Sequence, residues 1–264
     1  MEKSLRVGTK TYPLVGLSDD PTYFDAITED FENPFKQFCE TYLQDDFVAL
    51  DVGANIGVTS IILSHYLSAG HIYSFEPGPN VFERLQQNTE RLPNVTVGNT
   101  AVSSASGTVA FSEHSAYGHI LSGGGIQVSA QTVDQIVDGL CLQRLDFVKV
   151  DVEGFEPQVF EGAVDTLAKF DPAIYFEFNT WCLLAHSASD PISFLKSVFD
   201  RYPMRYRINP QAPGGLEDFS GLSADDAARR LTHDNVTKFG SVNDILVTSS
   251  HSTVAQVASR QLMA

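Results

Sequence analysis

Basic residues are scarce: 17 Lys and Arg stand against 33 Asp and Glu, a formal net charge of −16. A surface that negative has few cations with which to neutralise a phosphate backbone, the main source of nucleic-acid affinity. Nucleic acid is therefore not an expected partner. Cysteine is nearly absent too. Cys39, Cys141 and Cys182 are odd in number, far apart and form no Cys-x-x-Cys pair. That excludes a disulfide framework or a cysteine zinc site and fits a reducing compartment; all three read as small buried hydrophobes. No stretch approaches 18 uncharged apolar residues, and the opening MEKSLRVGTKTYPLVG lacks the apolar run of a secretion signal. The expectation is a soluble, cytoplasmic protein with no membrane span, in which the Asn-Val-Thr sequons at Asn94 and Asn235 carry no meaning. Repeats and a second domain are also missing. What remains is 264 residues, 43% of them apolar, which is ordinary globular composition with ample length for a core.

The order of elements carries most of the information. Residues 47–50 (FVAL) are an apolar run without polar alternation, as in a parallel strand covered on both faces. A glycine turn over 51–57 leads to a helix with Ile61, Ile62, His65 and Tyr66 near one face. Strands are expected at 71–75, 94–99, 147–150, 173–178 and 242–248. A helix with Val81, Phe82, Leu85 and Leu92 separates the first two of these. Residues 107–111 and 126–132 read as strands around the loop SEHSAYGHILSGGG, a small β insertion before the fourth core strand. Behind 147–150 a single helix is expected, with Pro157 in its first turn and Val159, Ala163 and Leu167 on one face. Such alternation implies an α/β fold, a doubly wound and mostly parallel sheet of Rossmann-like type.

Residues 1–46 are expected to form an acidic, aromatic helical cap. In it, Asn33-Pro34 supplies an N-cap and first-turn proline, and Phe35, Phe38 and Tyr42 dock a helix on the core. The core domain is placed at 47–248. Residues 203–223 look loop-like, and the tail 249–264 is expected to be frayed or to serve as an oligomer contact, which leaves a homo-oligomer open.

Ligands of open α/β sheets bind beyond the carboxyl ends of the strands, at the switch in strand order. The turn there, Asp51-Val-Gly53-Ala54-Asn55-Ile-Gly57, lacks the G-x-G-x-x-G of a pyrophosphate site. An acid aimed from the strand end repels a pyrophosphate and favours an ammonium group. The helix N-terminus that follows favours a carboxylate. Glu76, followed by Pro77 at the end of the second strand, is placed to accept from both hydroxyls of a ribose. Asn99 and the backbone at Ala101 are placed to meet an adenine edge. A nucleoside and an amino acid without phosphate describe S-adenosylmethionine.

The segments DVGANIG (51–57), FEP (75–77), QTVDQIV (131–137) and FVKVDVEGFE (147–156) resemble the FkbM family of S-adenosylmethionine-dependent methyltransferases. The resemblance runs from about Tyr23 to Phe178, and its most specific part is Lys149-x-Asp151-x-Glu153-Gly154. It implies the class I methyltransferase form of the Rossmann-like fold. It also implies O-methylation of a hydroxyl on a sugar, glycolipid, glycopeptide or polyketide-type molecule.

Methyl transfer to an aliphatic hydroxyl needs alignment and a base within hydrogen-bond reach. Lys149, Asp151 and Glu153 alternate in sequence, so strand period two puts them on one face. Asp151 is expected beside the methionine end of the donor and Glu153 on the acceptor side. Glu177 ends the next strand. Asp151, Glu177 and Asn179 leave a magnesium ion open, and no metal ligand is assigned. His119, before Gly123-Gly124-Gly125, is read as a substrate-side group on a mobile lid, and His114 as solvated. Trp181 suits a sugar-stacking wall and Tyr175 the core. Two alternatives stand beside the methyltransferase: an S-adenosylmethionine-binding module without catalysis, and an NAD-dependent oxidoreductase, which the missing middle glycine disfavours.

Overall fold

The computed structural model describes residues 2–17, 21–28, 30–112, 118–121, 123–240 and 242–263. The chain opens with β1 (Glu2–Val7) and β2 (Lys10–Val15), an antiparallel hairpin. Two helices follow, α1 (Pro21–Ala26) and α2 (Asn33–Tyr42). The core begins with β3 (Val48–Val52), α3 (Val58–Tyr66), β4 (His71–Phe75), α4 (Pro79–Thr89) and β5 (Val95–Gly98). An insertion holds β6 (Ala101–Val102), β7 (Gly107–Ser112), β8 (His119–Leu121) and β9 (Ile126–Gln131), paired as a separate four-stranded sheet, and leads into α5 (Val133–Gly139). Next come β10 (Phe147–Val150), α6 (Glu156–Glu161), α7 (Val164–Phe170), β11 (Ala173–Asn179), α8 (Thr180–His186) and α9 (Pro191–Arg201). The chain ends with β12 (Met204–Ile208), β13 (Leu216–Asp218), α10 (Ala224–Lys238), β14 (Val242–Thr248) and α11 (Thr253–Met263).

The main sheet has the order β13-β12-β14-β11-β10-β3-β4-β5. The strands from β11 to β5 are all parallel, while β14 and β13 run against their neighbours. This is the Rossmann-like class I methyltransferase architecture, and its order reverses between β3 and β10, where a crevice opens. No helix among the described residues is long and apolar enough to cross a membrane.

Strand period two divides the core between the sheet's two faces. Val148, Val150, Ile174, Phe176 and Phe178 join the cluster that includes Leu195, Phe199 and Leu231 of α9 and α10. Ala49, Phe147, Tyr175 and Leu246 face the other way, into the cluster with Phe35, Phe38 and Tyr42 of α2. Ring centroids of Phe35 and Phe38 lie 5.0 and 5.1 Å from Tyr175, and Phe38 lies 5.7 Å from Phe147. The aromatic stripe thus docks α2 as its spacing predicts, and carries the helix's N-terminus to the carboxyl ends of β10 and β11.

Several expectations change, among them the burial of all three cysteines: Cys39 and Cys182 are buried, but Cys141 is exposed. Residues 2–15 of the cap form a strand hairpin rather than helix: Leu5, Val7 and Leu14 are fully buried at strand spacing, among polar neighbours that mask the pattern. Asn88 fastens the hairpin's end, accepting from Val15 N at 2.7 Å and donating to Val15 O at 3.0 Å. Segment 203–223 contains strands built around buried arginines. Arg205 donates to the carbonyls of Phe199, Tyr202 and Leu222, and Arg207 pairs with Glu217 and Asp234. The tail forms α11, with Val254, Ala255 and Ala258 buried. The helix after β10 breaks in two at Gly162, whose own Cβ would lie 2.2 Å from Ser103 O. Asp134 then caps the second piece from outside, accepting from Thr166 N at 2.7 Å.

Candidate functional site

The crevice between β3 and β10 continues into a cavity roofed by the β insertion. Its walls include Gly53, Ala54, Asn55, Glu76, Pro77 and Ala101 at one end, and Lys149, Asp151, Glu153, Glu177 and His119 at the other. Gly53 is required here: its φ is +80°, and a Cβ would lie 1.7 Å from Asp151 O. The turn is braced by Gly53 and Ala54 N–H groups, both donating to Phe75 O at 3.0 Å. Glu76 accepts from Asn55 N at 3.0 Å and from Gly78 N at 2.8 Å, so its buried carboxylate is oriented by backbone on both sides.

Three residues expected at the cofactor do not line the cavity. Asp51 is fully buried, and its Oδ2 accepts from Thr59 Oγ1 at 2.8 Å and Ser60 Oγ at 2.7 Å. It lies on the same pleat face as Ala49, turned toward α3, whose hydroxyls capture it. Gly57 is the N-cap of α3 in left-handed geometry. Asn99 is exposed and spends its amide on Glu76 O and Pro77 O, at 2.8 and 2.9 Å, so it latches two loops together. Thr100 and Ala101 beside it do reach the cavity.

At the other end, Lys149 is buried and donates to Asp151 Oδ2 at 3.0 Å. Burial works against the ammonium, yet Asp151, Asp51 and Glu32 together hold its pKa above the ordinary lysine value. Glu153 is placed by a turn rather than by the strand, which ends at Val150. Its φ of +54° and the +98° of Gly154 fold the loop against α8, where a Cβ on Gly154 would meet Cys182 O at 2.4 Å. Cys182 Sγ donates to Glu153 Oε2 at 3.3 Å. His186 Nδ1 lies 2.7 Å from Glu153 O and, facing a carbonyl, carries the proton. Glu156 completes the frame from below, accepting from Val152 N at 3.1 Å and Gly154 N at 3.3 Å.

This end is crowded with acid. Burial, followed by the charge of Asp151, pushes the Glu153 carboxyl up to about 7. Burial lifts Glu156 to about 7 and Asp244 to about 7 as well. Glu177 stands opposite Asp244 in the β11–β14 register and is raised well above the usual carboxylate range, by burial first and by Asp151 next. Among the described residues its Oε2 is buried without a hydrogen-bond partner. Against these, Lys149 is the one cationic side chain on the cavity wall among the described residues. A cationic ligand is the electrostatic complement of such a site.

His119 reaches the cavity wall from β8 and stacks on His186, centroids 3.9 Å apart and planes within 4°. The exposed Trp181 sets its edge against the same ring at 5.3 Å, and Tyr175 is buried, as expected, donating to Asp244 Oδ2 at 2.8 Å. His114 lies outside the described residues. The magnesium set does not assemble: Asn179 spends Oδ1 capping α8 at Cys182 N, 3.1 Å away, and no three metal-holding side chains converge among the described residues.

Sequence reasoning missed Glu32, Tyr23, Glu156, Cys182 and His186. Glu32 and Tyr23 line the cavity from the N-terminal cap. Glu32, not Asn33, is the N-cap of α2, with φ +58° and no side-chain capping bond. An acid just ahead of Asn-Pro was the available signal. Glu32, Asn55 and Glu153, three non-glycine residues at positive φ, share this one cavity, a concentration of strain typical of functional sites.

Residues 51–191 match the family described as the methyltransferase FkbM domain. Over 129 residues the chain is 33% identical to the hexuronic acid methyltransferase AglP of Haloferax volcanii, covering 47% of this chain and 53% of that protein. Over 204 residues it is 24% identical to the 2-O-methyltransferase NoeI of Sinorhizobium fredii, covering 69% and 81%. The chain therefore spans about half the length of the first of these relatives. The crystal structure of methyltransferase FkbM from Methylobacillus flagellatus KT superposes with a TM-score of 0.42 at 16% identity, over 55% of this chain and 40% of that one. With the family match running from the β3 turn through the Lys149–Gly154 loop to α9, the chain belongs to the FkbM methyltransferases, whose methyl donor is S-adenosylmethionine.

Proposed function

We propose that the protein methylates a hydroxyl group on a sugar or a sugar-bearing small molecule. The observation that carries this reading is Glu153: a carboxyl raised to about 7, on a loop fixed by Glu156, Cys182 and His186, lining the cavity beside Asp151. A general base works best with a pKa near the working pH. S-adenosylmethionine, when bound, supplies a methyl group activated by its sulfonium. Gly53 and Ala54 let the backbone approach the donor, and Glu76 receives the ribose hydroxyls. Glu153 in its ionised form would take the acceptor's hydroxyl proton and pass it to solvent, the donor's methyl carbon–sulfur bond breaking to leave the neutral thioether as the oxygen–carbon bond forms. Glu177, whose carboxyl burial and then Asp151 hold well above the usual carboxylate range, lines the same wall beside Asp151. Trp181 offers an apolar face to a sugar ring.

The names of the two relatives, a hexuronic acid methyltransferase and a 2-O-methyltransferase, support the sugar class. The acidic wall favours a neutral sugar over a hexuronate. The test is transfer of labelled methyl from S-adenosylmethionine to matched hexosides and hexuronides. The hexoside is expected to have the higher kcat/KM. Labelling of amine acceptors but of no hydroxyl would overturn the reading, and retention of bound donor with no transfer to any acceptor class would favour the non-catalytic alternative.

A further inference from the structure

The donor's methionine end carries an α-ammonium group, and the acid expected to meet it, Asp51, is fully buried beneath the turn and off the cavity wall, its Oδ2 held by Thr59 and Ser60 and its Oδ1 without a partner among the described residues. The carboxylates that do line the cavity divide by position. Glu76 is bound by the backbone at the opposite, adenosine end. Asp151 is held by Lys149 at 3.0 Å. Glu153 is tied to Cys182 on the loop against α8. Glu177 lies deep between β10 and β14. Glu32 remains. It enters from α2, its electrostatic neighbours are Lys149, Asp151, Lys36 and Asp51, and no hydrogen bond to its carboxylate forms among the described residues.

The placement is built rather than incidental. The stripe Phe35, Phe38 and Tyr42 clamps α2 onto Phe147 and Tyr175, which brings the helix's first residue to the carboxyl ends of β10 and β11. Glu32 holds a left-handed φ of +58° without using its side chain as a cap. A glutamate at such a position is strained by about 1 kcal/mol or more, and capping does not account for it. Tyr23, packed edge-on against Phe31 at 5.8 Å, lines the cavity from the same cap segment.

We propose that Glu32, supplied by the N-terminal cap outside residues 51–191, is the carboxylate that receives the α-ammonium of the methyl donor. The assignment rests on the methyltransferase reading. It makes the cap part of the donor site, so the family-matched segment alone lacks one of the donor's contacts.

The test compares two ligands by isothermal titration calorimetry on the full chain. S-adenosylhomocysteine carries the amino-acid moiety, and 5′-methylthioadenosine lacks it. Glu32→Gln is expected to weaken S-adenosylhomocysteine by at least tenfold and to leave 5′-methylthioadenosine within twofold of the parent protein. Glu32→Gly removes the carboxylate while relieving the backbone, so it should lose S-adenosylhomocysteine affinity without losing stability. An equal loss for both ligands would mean that Glu32 only shapes the pocket, and an unchanged S-adenosylhomocysteine affinity would place the ammonium elsewhere. Either result overturns the assignment. A parent protein that binds neither ligand would overturn the methyltransferase reading itself.

Discussion

Glu153 offers the most direct test of the catalytic reading, because its environment sets a number. Burial and the neighbouring Asp151 raise its pKa from the ordinary 4.5 to about 7. A raised carboxyl keeps its proton until the pH passes the new value, so the basic form is the minor one below 7. By simple titration about a tenth of the molecules carry ionised Glu153 at pH 6 and about nine-tenths at pH 8. The rate with donor and acceptor both well below saturation, which follows ionisation of the free enzyme, should therefore rise roughly tenfold across that range and then level off. The arm should move to lower pH once the cationic donor is bound, because added positive charge favours the carboxylate. Glu153→Gln keeps the size of the side chain and the contact with Cys182 but cannot accept the proton. Its turnover should fall by about 10²–10⁴-fold, the usual worth of a general base, and the rising arm should vanish. Donor affinity, read by calorimetry, should stay near the parent value. A variant that keeps its turnover, or a parent enzyme whose rate is flat or falls between pH 6 and 8, would refute the assignment.

Glu156 and Gly53 test the frame around that base. Glu156 is fully buried with a pKa near 7 against an ordinary 4.5, so the folded protein binds the extra proton between those values. Its contribution to stability is complete below the unfolded value and is lost as pH rises through about 7, a change of roughly 3 kcal/mol. Urea unfolding of Glu156→Gln from pH 5 to pH 8 should show a much flatter pH dependence than the parent, and identical profiles would exclude this carboxyl as the cause. Gly53→Ala places a Cβ 1.7 Å from backbone Asp151 O, whereas Gly57→Ala meets the flexible end of Leu85 at 3.0 Å. Both have positive φ. The first should cost more than roughly 3 kcal/mol and abolish donor binding, and the second about 1–2 kcal/mol. Equal losses would show that φ alone, not the contact with β10, fixes the glycine.

Much of the fold was legible because short, mostly apolar strand segments alternate with helix-spaced stretches. The strands at 71–75, 147–150 and 242–248 begin and end where the sequence places them. The strand at 204–208 was hidden because Arg205 and Arg207 are buried there, satisfied by carbonyls and carboxylates from distant segments. The hairpin at 2–15 was hidden by polar residues on its outer face. At the site, Lys149, Asp151, Glu153, Glu177 and His119 all reach the cavity. Asp51 marks the limit of such reading. Its place at the strand end was clear, but which way the pleat turns, and that Thr59 and Ser60 would trap it, depend on how α3 packs. Glu32 depends on more still, since only the docked aromatic stripe brings it to the site.

The distribution of unfavourable features follows from the two-faced sheet. Below the strand tips, both faces are closed by apolar side chains, Val148, Ile174 and Phe176 on one side and Ala49, Phe147 and Tyr175 on the other. At the tips the second face changes character within one strand period: Ala49 gives way to Asp51, Phe147 to Lys149, Tyr175 to Glu177 and, across the antiparallel pair, Leu246 to Asp244. Carboxyls that repel one another, and three non-glycine residues at positive φ, are gathered in this layer. Each such feature costs on the order of 1–3 kcal/mol alone, and the packed layers beneath hold it in place. The acids keep extra protons because burial penalises their charged forms, and the carboxylates beside them add to it. A ligand bearing positive charge supplies what the layer lacks, which is the electrostatic ground for the proposal that the donor's methionine end, rather than its adenosine, occupies this half of the cavity.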